Sequence, residues 1–248
     1  MFKQTRIVML GAALLAVAAS AQAHQVWLEQ AEGDTVVLRF GEFGENLREA
    51  SPGLLDKFVA PTGTLFSGSS SKKAEARKTA SGFTLPFAPA ANESVVAEDA
   101  RYPLYPSGQG DKQVLNWFHP SARLMTGFAP LAPSLALDLV PAGDPGAFRL
   151  YFKGKPLAKT KVSLVTQSGW AKEGRTDADG LVRFDMPWQG QYVAEASHTD
   201  RTPGERPGVQ GAERYDVVYY ATTLSYRKSE GIAPLPAGPA AAPNAPAK

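Results

Sequence analysis

His24 follows directly after Ala21-Gln22-Ala23, a sequence typical of the end of a secretory signal peptide. Cleavage after Ala23 makes His24 the first residue of the mature chain. Its free α-amine and its imidazole can then bind one metal ion through two nitrogens. The pKa of a free α-amine is roughly 7.7–8.0, so a metal ion can displace its proton near neutral pH. We therefore expect a metal site at residue 24.

The segment before His24 has the three parts of a signal peptide. Lys3 and Arg6 form a basic start, and the apolar run over 7–19 is about 13 residues long, too short to span a membrane. We predict that residues 1–23 are removed and that the mature protein is periplasmic, with no direct insertion into the membrane. Cleavage after Ala21 is the alternative and leaves histidine third, where amine, two backbone amides and imidazole can enclose Cu(II) or Ni(II).

The sequence contains three histidines, His24, His119 and His198. We expect His119 or His198 to give a third nitrogen beside the two of His24, in a T-shaped set that suits Cu(II) and also Ni(II). A plainer interpretation applies to each. His119 follows two aromatic residues, which favours a partly buried ring bonded to the backbone, and His198 is equally well explained as an exposed loop residue.

Carboxylates supply the remaining candidate ligands. The spacing of His198 and Asp200 places both side chains on one face of an extended segment. Asp200 is therefore a candidate ligand, or a group that orients the imidazole. Glu42 and Glu45 lie in a glycine-rich acidic loop, where they are candidate axial ligands, although a solvated loop paired with Arg48 is the more common arrangement.

The composition excludes several classes of site. The chain has no cysteine, which rules out thiolate ligands and a cysteine nucleophile, and its net charge of +2 gives no reason to expect nucleic-acid binding. Neither a Gly-x-Ser-x-Gly elbow nor a glycine-rich phosphate loop is present. We therefore predict a metal-binding protein rather than an enzyme.

Short apolar runs separated by Gly and Pro turns predict an all-β fold. We expect two β-sandwich domains of the immunoglobulin or transthyretin-like kind, over 24–143 and 144–228, divided at the turn cluster over 141–146. Residues 229–248 are mostly Ala and Pro and predict a disordered tail.

Motifs in the second half follow one another in a recognisable order. They are GKPLA at 154–158, TDADG at 176–180 and GQY at 190–192. This part of the chain resembles a transthyretin-like module, which implies a sandwich and says nothing of chemistry.

The AHQVWLE stretch at 23–29, together with GENLRE at 44–49 and LVPAGDP at 139–145, resembles a periplasmic family of unknown function. Its members are often labelled as periplasmic components of nickel or cobalt uptake systems. The resemblance implies a protein that captures Ni(II), Co(II) or Cu(II) through His24 and delivers it to a membrane transporter or outer-membrane receptor. Two alternatives stay open, a structural adaptor beside an outer-membrane receptor and a copper monooxygenase acting on polysaccharide.

Overall fold

The computed structural model describes residues 24–31, 35–208 and 211–244 of the 248-residue chain. The predicted signal peptide, its two alternative cleavage positions and the last four residues of the tail lie outside these ranges. Within the described residues no helix is long and apolar enough to cross a membrane.

The described residues form β-strands and three short 3-10 helices, so the predicted all-β class is confirmed. The helices are Phe43–Glu45, Leu54–Lys57 and Gly110–Lys112. The strands are β1 Gln25–Gln30, β2 Val36–Glu42, β3 Leu47–Arg48, β4 Thr62–Ser67, β5 Ser70–Glu75, β6 Arg77–Thr79, β7 Gly82–Leu85, β8 Ser94–Glu98, β9 Leu104–Ser107, β10 Val114–Met125, β11 Leu137–Pro141, β12 Ala147–Phe152, β13 Lys155–Pro156, β14 Lys161–Thr166, β15 Ala171–Arg175, β16 Leu181–Arg183, β17 Gly190–Asp200, β18 Gly204–Pro207, β19 Ala212–Tyr215 and β20 Val217–Lys228.

A central sheet has the strand order β15-β14-β17-β20-β10-β8-β4-β5, with β9 also paired to β10. An N-terminal sheet has the order β1-β2-β7-β6, with β3 paired to β2, and a third sheet joins β11, β12, β13 and β16. Strands β18 and β19 form a separate hairpin. Strands β10 and β20 run parallel to each other, and the other strand-to-strand ladders within the described ranges are antiparallel.

The central sheet is covered on both faces because successive side chains of a strand point to opposite sides. On β10, Met125 belongs to a core shared with β11 and β12, whereas Leu124 belongs to a core shared with β1, β2 and β7. The third sheet covers the first of these faces, and the N-terminal sheet covers the second. The result is a layered β-sandwich whose two cores are separated by the central sheet.

A buried ion pair crosses from the central sheet to the third sheet. The guanidinium of Arg123 on β10 donates to both carboxylate oxygens of Asp138 on β11, at 2.6 and 3.0 Å, and also to the hydroxyls of Ser94 and Ser134. Both charged side chains are almost wholly buried. Such a pair holds two sheets in one relative position, because any shift would leave a charge buried without its partner.

The central sheet contains strands from both sides of the boundary predicted at residues 143 and 144. Strand β10 precedes this boundary and β20 follows it, and the two pair along their length from Asn116–Val217 to Met125–Tyr226. Strands β11 and β12, directly before and after the boundary, also pair with each other. Backbone hydrogen bonding is therefore continuous between the two predicted domains, and their independence stays a prediction.

The tail after β20 has no regular strand or helix over its described residues, which are exposed. Its backbone touches the folded body at two places, where isolated bridges join Trp188 to Ile232 and Leu47 to Ala241.

Candidate functional site

Three strands of the N-terminal sheet bring His24 and two glutamates together. The pairing of β1 with β2 sets Gln25 opposite Gly41, so His24, one residue earlier, lies at the level of Glu42. Strand β3 folds back on the end of β2, and the amide of Glu49 donates to the carbonyl of Phe40 at 2.8 Å. The side chains of His24, Glu42 and Glu49 therefore meet at one end of this sheet.

The close approach of β3 to β2 depends on Gly41. Its φ of 145° lies in a region that favours glycine, and a Cβ atom at this position would lie 2.3 Å from the carbonyl oxygen of Leu47. A side chain at residue 41 would therefore push β3, and with it Glu49, away from His24.

The two ring nitrogens of His24 have different surroundings. Nε2 lies 2.6 Å from Oε1 of Glu49, whereas Nδ1 lies 3.4 Å from Oε1 of Glu42. The His24 ring also packs against Phe40, with 5.2 Å between ring centroids. The His24 and Glu42 side chains are 24% and 20% exposed, so both are partly accessible to solvent.

Glu49 is fully buried, and the described tail supplies donors to it. The backbone amide of Asn244 donates to Oε2 at 3.0 Å, and the Asn244 side-chain amide donates to Oε1 at 2.6 Å. Both carboxylate oxygens therefore act as acceptors. Because a carboxylate oxygen accepts, the 2.6 Å contact between Nε2 of His24 and Oε1 of Glu49 uses a ring proton on Nε2.

A third glutamate adds to the negative charge of this region. Glu195 on β17 accepts a hydrogen bond from the side chain of Gln25. Burial and the nearby charge of Glu42 raise the pKa of Glu195 to about 7, against the opposite influence of Lys161. Burial is the larger of the two causes, and the Glu42 carboxylate adds to it because like charges disfavour the ionised form.

Two other acidic residues of this region lie outside the cluster. The carboxyl of Glu29 is held by Trp27, Arg39 and Arg48, and although burial raises its pKa, these partners together lower it. Glu45 is exposed and makes no hydrogen bond or ion pair with the described residues, so the structure does not bring it to His24. Arg48 forms its ion pair with Glu29. Within the described residues it forms none with Glu42 or Glu45, which is the pairing that the acidic loop predicts.

His119 is buried on β10. Its Nε2 is 3.1 Å from Oε2 of Glu98, and its ring stacks on Trp117 with 4.7 Å between centroids. This hydrogen bond is the main cause of the lowered pKa of Glu98. The ring is buried as the plainer interpretation expected, but its partner is a side chain rather than the backbone. Nδ1 of His119 has no hydrogen-bond partner among the described residues.

His198 and Asp200 lie on β17 and have separate partners. The His198 ring packs against Phe152, with 4.4 Å between centroids, whereas Asp200 accepts a hydrogen bond of 2.8 Å from Lys153. That ion pair lowers the pKa of Asp200 to about 2. Asp200 therefore does not orient the imidazole of His198 in this structure.

The predicted meeting of His24 with another histidine does not occur. His119 and His198 are both in register with Tyr220, so all three project from the face of the central sheet that carries the third sheet. His24 precedes β1, which contacts the opposite face through a hydrogen bond from Thr223 to Val26. Because successive side chains of β20 point to opposite faces, the imidazoles of His119 and His198 lie across the central sheet from His24.

Over residues 24–31, 35–208 and 211–244, no group of three or more His, Asp or Glu side chains is arranged so that it could hold a metal ion. A metal site at residue 24 therefore needs a donor that is not a side chain. The α-amine released by cleavage after Ala23 would be such a donor.

Glu195 and Asn244 are the members of this cluster that the sequence does not single out, whereas Glu49 is one of several acidic candidates in its loop. Glu195 lies in a strand like many others. Asn244 stands in a tail of low complexity, 220 residues from His24. No local pattern marks Glu195 or Asn244, because long-range pairing alone brings them to this end of the sheet.

The chain belongs to the family described as a domain of unknown function, DUF4198, whose family model matches residues 21–200. No curated protein sequence matches this chain. One solved chain that matches is described as "Structural insight into host cell surface retention of a 1.5-MDa bacterial ice-binding adhesin". It shares 9% identity and has a TM-score of 0.25, and the match covers 85% of this chain and 65%, just under two thirds, of the other. Structural similarity at this level supports no conclusion about function.

Proposed function

We propose that this member of the DUF4198 family is a periplasmic protein that binds a transition-metal cation at its mature N-terminus and delivers it to an uptake system. The α-amine and Nδ1 of His24 are the two nitrogen ligands, and Glu42 supplies an oxygen. Ni(II), Co(II) and Cu(II) all accept amine, imidazole and carboxylate donors. The protein acts as a carrier, and the cation is its cargo.

The observation that carries this proposal is that the two ring nitrogens of His24 have different carboxylate partners at different distances. A chelate that includes the α-amine can close only through Nδ1, because the ring then contains the amine, three carbons, Nδ1 and the metal. Nδ1 is the nitrogen that faces Glu42, and Nε2 is the one held by Glu49. The nitrogen that such a chelate would use is therefore the one that Glu49 does not hold.

The spacing of the donor atoms supports the same assignment. Two ligands bound to one ion at about 2.1 Å lie about 3.0 Å apart at the angle of about 90° of a square-planar Cu(II) or Ni(II) site, and about 3.4 Å apart at a tetrahedral angle. The distance from His24 Nδ1 to Glu42 Oε1 is 3.4 Å. Glu49 corresponds to the carboxylate that commonly accepts a hydrogen bond from the ring nitrogen of a metal-binding histidine that does not bind the metal.

The proposal is tested with two purified forms of the mature chain, one beginning at His24 and one retaining Ala23. Mass spectrometry of exported protein establishes which N-terminus exists, and calorimetry with Ni(II), Co(II) and Cu(II) measures affinity. We expect one-to-one binding by the first form. The second should bind at least about 100-fold more weakly, since a lost ligand exceeds the 10–100-fold cost of a lost outer partner.

A pair of glutamate variants tests the oxygen ligand. Glu42→Gln should weaken binding by the form that begins at His24, whereas Glu45→Gln, an exposed neighbour without contacts, should not. Equal affinities of the two N-terminal forms, or no binding by either, would refute the proposal.

A further inference from the structure

The C-terminal tail reaches the His24 region through a defined set of contacts. The side chain of Asn46 donates to the carbonyl of Gly238 at 2.9 Å, and the amide of Ala241 donates to the carbonyl of Asn46 at 3.3 Å. Ala241 also bridges to Leu47 on β3. The tail therefore runs beside β3, and Asn244 arrives next to Glu49.

Asn244 makes two of the three hydrogen bonds that the Glu49 carboxylate forms within the described residues. Its backbone amide reaches Oε2 and its side-chain amide reaches Oε1, which it shares with His24 Nε2. A fully buried carboxylate is costly unless donors satisfy both oxygens. The tail thus supplies most of what keeps Glu49 in place.

We propose that Asn244 is a positioning residue of the metal site and that it acts on His24 through Glu49. With both oxygens of Glu49 engaged by Asn244, the carboxylate is fixed as an acceptor for Nε2–H. The imidazole is then held with Nδ1 toward Glu42 before the metal arrives. The consequence for metal binding rests on the proposed function, whereas the orientation of the ring does not.

The position of the tail explains why the contact belongs to the site rather than to the stability of the fold. The described tail residues are exposed, and the cores that hold the sheets contain none of them. The side-chain nitrogen of Asn244 lies 3.1 Å from Nε2 of His24. Removing its side chain therefore changes the surroundings of one imidazole and leaves both cores unchanged.

The experiment compares three changes in the mature chain that begins at His24. They are Asn244→Ala, a truncation after Ala237, and Leu235→Ala as the matched control on the exposed part of the same tail. The truncation removes every tail contact near β3 and keeps the bridge at Ile232. Circular dichroism confirms that each variant is folded.

Two measurements are made on each variant. Without metal, NMR records the ring-nitrogen shifts of His24 and the contacts between the His24 and Phe40 rings. Calorimetry then measures the affinity for Ni(II) and Cu(II). We expect Asn244→Ala and the truncation to weaken the ring contacts and to lower affinity about tenfold, the lower end of the usual effect of an outer partner. Leu235→Ala should change neither.

Unchanged ring contacts and unchanged affinity in both tail variants would overturn the inference while leaving the proposed function intact. Tighter binding after truncation would also overturn it, because the tail would then compete with the metal. If the unmodified mature chain binds no metal, the proposed function fails, and the metal-free ring contacts alone decide whether Asn244 positions His24.

Discussion

Two histidine–glutamate pairs in this protein have opposite patterns of burial. At the N-terminus of β1, Glu49 is fully buried and His24 reaches solvent, whereas on the central sheet His119 is buried and the Glu98 side chain is 37% exposed. In the first pair the carboxylate holds one ring nitrogen and leaves the other open. In the second pair the ring is enclosed by aromatic side chains. Only the first arrangement offers a nitrogen to a ligand from solution.

The largest expected difference concerns metal affinity. His24→Ala removes the imidazole ligand, and we expect affinity for Ni(II) or Cu(II) to fall by more than about 100-fold, beyond the cost of losing an outer partner. The matched control is His198→Ala, which removes a half-buried ring that packs on Phe152. Calorimetry on mature protein measures both. Comparable losses in the two variants would mean that the metal binds elsewhere.

The second difference concerns the free energy of unfolding. His119→Ala leaves a cavity beside Trp117 and Tyr220, and we expect it to lower stability by about 2–3 kcal/mol. Metal affinity should not change. Urea unfolding and calorimetry check the two parts, and a loss of binding without loss of stability would reverse the roles assigned to the pairs.

The excess negative charge at the His24 end gives a third prediction. Burial and Glu42 raise the pKa of Glu195 to about 7, so the folded state holds this proton more tightly than the unfolded state does. The contribution of Glu195 to stability should therefore be greatest below about pH 4.5 and be lost as pH rises through about 7. Glu195→Gln removes the decline and should be about 2 kcal/mol more stable than the unchanged protein at pH 8.

Urea unfolding at pH 5 and pH 8 measures this effect. The difference between Glu195→Gln and the unchanged protein should be small at pH 5 and favour the variant at pH 8. A difference independent of pH would show that Glu195 does not carry the raised pKa.

The smallest expected effect concerns Glu98. Because its carboxylate is partly solvated, Glu98→Gln should cost less than about 1 kcal/mol, as is usual for exposed ion pairs. Urea unfolding at pH 7 measures it. A cost equal to that of His119→Ala would mean that the hydrogen bond, and not the aromatic packing, keeps His119 in the core.

Local patterns predicted much of the fold. The Asp and Gly residues of 177–180 predict a turn, and in the structure Oδ1 of Asp177 accepts the amides of Asp179 and Leu181. The apolar run over 161–166 predicts a strand with the bounds of β14, whereas β10 and β17 extend beyond the strands that the sequence predicts over 114–118 and 191–196. Strand β10 runs through Pro120, which pairs with Ala221 of β20 and lies between the stretches of β10 that pair with β9 and with β8.

The sequence by itself determined the all-β class and marked His24, because alternation, turn residues and processing signals act over a few neighbouring positions. It also placed the His198 and Asp200 side chains on one face. The tertiary structure decided which groups meet. Long-range register set His119 and His198 across the central sheet from His24, and it brought Glu42, Glu49 and Asn244 to the imidazole. Contacts of that kind depend on how distant strands pair, and no short segment encodes that pairing alone.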